Sequence, residues 1–343
     1  MNRLSPTRLW INNPTPSDAD RAIEAGAISC TTNPTYAMKQ LQRDETRGEA
    51  ESIVADVAAR VKDVDDAADQ VTQRLVKRIL DRFLPVYERK PGAQGFVSIQ
   101  GNPFQDDDAD HIVAEALRYR SLGPNFIAKI PVIEAGVEAI ERLIPEDVPI
   151  IATEVMGLSQ TIAVCELYRR VSGECGKLPP FYVTHITGIF DEHLQNVVRE
   201  QGIEIGPDIL WQAGCAVARR QYQLFKDRGY PGTMLGGGAR GLHHFTEMVG
   251  SEMHITINWV GTADRLIQEN PPVVWRMFNP TPQYVIDELT EKLPDFRRAY
   301  SEDGLGVEEY KDFGPVQLFR DSFIKGWSYL REAIEERKKG AAS

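Results

Sequence analysis

The feature that most constrains this chain is a regular alternation. Short, nearly continuous apolar runs recur along it with helical patterns between them. In order, the runs are Leu9 to Asn12, Ala27 to Thr31, Gly95 to Gln100, Asn125 to Ile130, Val148 to Glu154, Phe181 to Thr187, Thr233 to Gly236 and His254 to Ile257. Few of them alternate apolar with polar. A strand covered by helices on both faces needs that pattern, because neither face meets water. Helix punctuation fills the gaps. Ser17 reads as an N-cap, with Asp20 three residues on and Gly26 as the stop. Asp108 to Leu122 reads as a helix ending at Gly123, with Ile112, Val113, Ala116 and Leu117 on one apolar face.

About eight βα units in roughly 250 residues is the count for a closed (β/α)8 TIM barrel. A doubly wound sheet would place a phosphate-binding glycine loop after its first strand, and none follows Asn12. Two segments exceed the needs of a barrel. We therefore expect a barrel over residues 1–270 with a helical insertion at 47–89, and a helical C-terminal extension over 271–343, broken at Pro294 and Gly314 and packed on the barrel.

Fifty acidic residues against 39 basic ones give a net charge of -11. Such a surface repels nucleic acid and anionic lipid, so neither is an expected partner, whereas a small anionic substrate can bind where basic groups gather. No run approaches the ~20 apolar residues of a membrane span, and MNRLSPTRLW lacks the apolar core of a signal peptide, so a cytoplasmic location is expected. Cys30, Cys165, Cys175 and Cys215 form no CxxC pair, and the histidines form no HExxH. Neither a disulfide framework nor a metal site is expected.

In a parallel barrel the reactive groups sit at the carboxyl ends of the strands. Four candidates lie there. Lys129 stands in the apolar run NFIAKIP, where desolvation lowers an amine's pKa and readies it to attack a carbonyl; pairing with a carboxylate or binding phosphate is the alternative. Thr31-Thr32-Asn33-Pro34-Thr35 closes the second strand and either holds a substrate hydroxyl or caps the next helix. Thr153 and Glu154 end the fifth strand, and alternation lets only one of them face inward. Gly236-Gly237-Gly238-Ala239-Arg240 opens the loop after the seventh strand, either as a phosphate cradle or as a simple turn. Trp10, His243 and His244 read as packing or surface residues.

Taken together at these strand positions, the motifs resemble the transaldolase family, including its fructose-6-phosphate aldolases. The family's T-T-N-P stands at Thr31-Thr32-Asn33-Pro34 and its K-I-P at Lys129-Ile130-Pro131, followed by Glu134-Ala135-Gly136. Its fifth-strand pair matches Thr153 and Gln160, its phosphate-loop basic residue matches Arg240, and Asp312 to Pro315 resembles the tail of longer members. The resemblance implies a (β/α)8 enzyme in which Lys129 forms a Schiff base with a ketose or ketose phosphate. A dihydroxyacetone unit would then pass to an aldehyde acceptor, without organic cofactor or metal, in a possible homodimer. It further implies that Asn33 and Thr31 hold substrate hydroxyls, that Thr153 positions a water, that Thr184 contacts the dihydroxyacetone unit and that Gly237, Gly238 and Arg240 take the phosphate.

Several positions depart from the family pattern. The first-strand aspartate aligns with Asn12 and the third-strand glutamate with Gln100; the sixth-strand tyrosine of the aldolases aligns with Ile186. The sixth-strand phosphate arginine aligns with Ile189 and the seventh-strand serine with Gly238. An amide is no base, so His185 and Glu154 become the alternative acid–base candidates, or else face outward as structural groups. Two other readings stay open: a Schiff-base enzyme of non-aldol type (decarboxylation, dehydration or isomerisation) and a catalytically silent sugar-binding barrel.

Overall fold

The computed structural model describes residues 4–341. Eight parallel strands close into a barrel in chain order: β1 (Arg8–Asn12), β2 (Ala27–Thr31), β3 (Val97–Ile99), β4 (Phe126–Pro131), β5 (Ile150–Val155), β6 (Phe181–His185), β7 (Thr233–Gly236) and β8 (His254–Ile257), with β8 pairing back onto β1. Every expected strand is present, and the architecture is the (β/α)8 barrel.

Helices α1 (Pro16–Glu24), α2 (Tyr36–Gln42), α3 (Asp44–Arg60) and α4 (Val64–Arg89) flank β2, with α3 starting ahead of the segment 47–89 that the sequence reading set apart. Around the rest of the barrel run α5 (Ala109–Tyr119), α6 (Glu134–Leu143), α7 (Leu158–Cys175), α8 (Thr187–Gln201), α9 (Pro207–Leu210), α10 (Ala213–Asp227), α11 (His243–Thr246) and α12 (Asp264–Glu269). The tail supplies α13 (Gln283–Lys292), α14 (Pro294–Tyr300) and α15 (Gly314–Ala341), the last two beginning at the expected breaks, Pro294 and Gly314. Several boundaries differ from the sequence reading: β3 and β5 start later than their runs, and β6 ends at His185 with Thr187 opening α8. The N-cap of α1 is Thr15, not Ser17: Thr15 Oγ1 accepts from the Asp18 amide at 3.1 Å, and Asp18 returns a bond to the Thr15 amide. Pro16 explains the shift, since its missing N–H and fixed φ suit the first helical position.

Alternation sorts the strand side chains into layers. Trp10, Phe96, Ile127, Ile151, Tyr182 and Leu235 form an apolar cluster inside the barrel, closed by a bond from Trp10 Nε1 to His254 Nδ1 of 3.0 Å. Two residues further along their strands stand Asn12, Ser98, Lys129, Thr153 and Thr184. The period of two therefore sets a polar layer above an apolar floor.

Outside the barrel, α15 packs across α2, α3, α4 and α8. Phe323, Trp327, Leu330 and Ile334 of this helix are fully buried and recur at helical spacing as one stripe. Fully burying a large apolar side chain contributes about 1.5–3 kcal/mol, so this stripe is a large favourable term in docking the helix, set against the entropy of ordering it. Arg320 adds direction. Its Nε and Nη2 bond both oxygens of Asp106, beyond β3, at 2.8–3.0 Å, and Nη2 also reaches the Pro103 carbonyl at 3.1 Å.

Candidate active site

Lys129 lies on β4, in a strand buried at every residue, and is itself only 7% exposed. Its ammonium stands 5.6 Å from the centre of the Phe323 ring, contributed by α15. Burial lowers the amine to about 8, with Glu154 opposing the shift and Lys39 adding to it. Glu154 is displaced in the other direction. Desolvation and nearby Asp106 raise its carboxyl to about 7 against the pull of Gln100, Lys129 and Arg320. Removing one ion from water costs several kcal/mol, and each of the two charges partly opposes the burial shift of the other.

Strict alternation on β5 would turn only one of Thr153 and Glu154 inward. The structure departs from that expectation because the β5–β6 register slips between Ala152 and Val155, and Glu154 adopts a φ of 62°. A left-handed backbone at a non-glycine residue costs on the order of 1–3 kcal/mol. The bulge aims the carboxylate inward, where Glu154 Oε1 accepts from Gln100 Nε2 at 2.9 Å. Gln100 Oε1, Thr153 Oγ1, Glu154 Oε2 and Thr184 Oγ1 are all buried and have no hydrogen-bond partner among the described residues. Native interiors rarely leave such atoms unpaired, so a concentration of them around one lysine marks a place built for polar ligand atoms.

A cavity of about 490 Å³ opens from Lys129 to the barrel mouth. One wall is a neutral relay: Asn12 Nδ2 donates to Asn258 Oδ1 at 3.0 Å, Thr31 Oγ1 donates to Asn12 Oδ1 at 3.0 Å, and Thr31 also bonds Thr256 at 2.7 Å. Asn12 is thereby locked on both sides. Asn33 Oδ1 is held by Asn13 Nδ2 and by the amide and hydroxyl of Thr35 at 2.7–3.1 Å. Asn33 itself lines the cavity. Gln160 does not reach the cavity; it ties the start of α7 to the ends of β4 and β5 through four bonds to backbone groups.

The loop after β7 sits against the start of α8. Gly238 has a φ of 67°, and a Cβ there would meet Ile186 Cγ2 at 2.5 Å; one at Gly188 would meet the Gly238 carbonyl at 2.2 Å. The turn at Gly238 is thus packed against Ile186 and Ile189. Arg240 lines the cavity but bonds Glu192 at 2.6 Å. His244 braces the loop from behind. Its Nδ1 accepts from the Arg240 and Gly241 amides at 2.9 and 3.2 Å, so Nε2 carries the proton it donates to Asp191 at 2.7 Å. His243, Asp191 and His244 gather closely enough to hold a metal, yet that protonated nitrogen is unfit as a ligand.

Of the candidates, Lys129, Asn12, Thr31, Asn33, Thr184, Gly237, Gly238 and Arg240 line the cavity, while Thr153, Glu154 and Gln100 are not among its lining residues. His185 is not brought to the site. Its ring nitrogens face the Val155 and Gly214 carbonyls, both at 3.2 Å, and since burial lowers its pKa to about 4 the neutral ring donates to one of the two. Sequence reasoning missed Thr256, Asn258, Lys39 and Lys325, all of which line the cavity. Extending the period of two along β8 finds Thr256 and Asn258; nothing local marks the two lysines.

A family model described as Transaldolase/Fructose-6-phosphate aldolase matches residues 9–280. Among curated relatives, the transaldolase of Kocuria rhizophila is 30% identical over 211 residues, covering 58% of this chain and 55% of the relative. That of Saccharopolyspora erythraea is 27% identical over 239 residues, covering 66% and 61%. That of Mycobacterium tuberculosis is 26% identical over 212 residues, covering 58% and 55%. The chain spans little more than half the length of the curated relatives it matches. With the family model covering most of the chain and the barrel closed around Lys129, this protein belongs to the transaldolase/fructose-6-phosphate aldolase family.

Proposed function

We propose that the protein is a transaldolase-type enzyme acting on a ketose or ketose phosphate through a Schiff base on Lys129. The neutral amine attacks the ketose carbonyl, and the carbinolamine loses water to give a protonated imine. The C3–C4 bond then breaks. Its electron pair flows into the imine to leave an enamine, the C4 hydroxyl loses its proton, and the distal fragment departs as an aldehyde. The enamine attacks an acceptor aldehyde or is protonated, and water releases the product and regenerates the amine.

Asn12 is an amide held on both sides, so it takes no proton. In this reading Glu154 is the proton carrier. It receives the proton that the Lys129 ammonium must shed, returns one when the carbinolamine expels water, and takes the C4 hydroxyl proton through a water held by Thr153. What supports the reading best is the pairing of a desolvated lysine with a carboxyl raised to about 7 beside it. Asn33 and Thr184 serve as hydroxyl ligands.

Borohydride reduction in the presence of fructose 6-phosphate, followed by peptide mapping, tests the proposal. A reduced adduct on Lys129, lost in Lys129→Met, together with release of glyceraldehyde 3-phosphate is the expected result. An adduct without bond cleavage favours a non-aldol imine enzyme. If no ketose forms an adduct, the imine is rejected.

A further inference from the structure

The protein carries a net charge of -11, yet no carboxylate lines the active-site cavity, whereas Lys39, Lys129, Arg240 and Lys325 all do. Lys129 is committed to the carbonyl in the proposed mechanism, and Arg240 is half neutralised by Glu192. Lys39 and Lys325 are different. Among the described residues neither ammonium has an ion pair or hydrogen bond, and Lys39 is close enough to Arg240 and Lys129 for their charges to act on one another. Like charges held together without a counterion cost free energy, and an anionic ligand removes that cost. The β7 loop cannot supply the anion site alone, because Ile186 and Ile189 crowd Gly238, and the family resemblance puts its arginine at Ile189 and its serine at Gly238.

We propose that Lys39 of α2 and Lys325 of α15, with Arg240, form a subsite for the terminal phosphate of a ketose phosphate, moved from the β6–β7 side of the mouth toward the C-terminal helix. Two lysines and a partly paired arginine match a phosphate dianion better than a carboxylate, which one cation satisfies. The neutral Asn and Thr side chains are left for sugar hydroxyls. The helix that carries Lys325 is the one that presents Phe323 to Lys129, so the tail supplies both recognition and desolvation.

This inference rests on the proposed function for the identity of the ligand, so its test avoids the imine. Calorimetry on the Lys129→Met protein compares fructose 6-phosphate, fructose and a ketose acid bearing a terminal carboxylate. The phosphate ester should bind about 100-fold tighter than fructose, and Lys39→Gln and Lys325→Gln should each cut that ratio about tenfold, with Lys325→Arg restoring it. Melting temperatures verify folding, and Lys325 is exposed enough that its replacement leaves the core untouched. The proposal is overturned if phosphate confers no advantage, if the carboxylate does equally well, or if both glutamine variants keep the full ratio. Failure of wild-type protein to form a borohydride adduct counts against the imine and leaves these binding ratios standing.

Discussion

Lys129 and Glu154 share one buried compartment inside the barrel, the lysine lowered to about 8 and the glutamate raised to about 7. Each holds the other's proton affinity in check. Because the carboxylate raises the lysine, Glu154→Gln should lower the Lys129 pKa further, so the rise of adduct formation with pH moves to more acidic values. The rate at its plateau should nevertheless fall about 10²–10⁴-fold for want of a proton carrier. Borohydride trapping across pH 5 to 9 reads both effects; an unmoved profile at undiminished rate excludes Glu154 from the chemistry.

The ion pair of Arg320 with Asp106 ties α15 to the loop after β3, with side chains 19% and 8% exposed. Arg320→Met strands a carboxylate whose pKa burial already raises, and should cost about 2–4 kcal/mol. Thermal unfolding measures the loss. Trapping should weaken as well, since Phe323 and Lys325 travel with the helix.

Restoring the family's serine at Gly238 should harm rather than help. The φ of 67° and the 2.5 Å approach to Ile186 Cγ2 predict a loss of about 1–3 kcal/mol for Gly238→Ser. Part of that should return when Ile186→Ala is added, giving a non-additive double-mutant cycle by urea denaturation. Strict additivity would show that the clash is relieved some other way.

His185 should matter to acid stability and not to turnover. Its folded-state pKa of about 4 lies below the 6.5 of an unfolded histidine, so the unfolded chain binds the extra proton between these values and stability falls as pH drops through that window. The full shift amounts to about 3 kcal/mol. In His185→Gln the pH slope of the urea midpoint from 6.5 to 4 should shrink, even though the protein is weaker throughout. A turnover loss at pH 8 larger than its unfolded fraction explains would return His185 to the mechanism.

The strands, Lys129 at the end of the fourth and Asn33 after the second were legible because each follows from local pattern. An apolar run marks a strand covered on both faces, and a period of two says which side chains look inward. The same rule failed at Glu154. A bulge and a left-handed backbone are fixed by how β5 and β6 register, and no alternation rule contains that. It failed again at Thr15, where a proline at the next position outweighed a reasonable serine cap.

Local physics in the sequence determined the barrel and the place of its lysine, since strand burial and residue identity need no distant partner. Tertiary structure decided the electrostatics. Lys39 and Lys325 are separated by most of the chain yet line one cavity, and His185 lost its candidacy to two backbone carbonyls. Charge and proton affinity depend on what lies within a few ångströms in space, and for these residues the neighbours come from elements far apart in sequence.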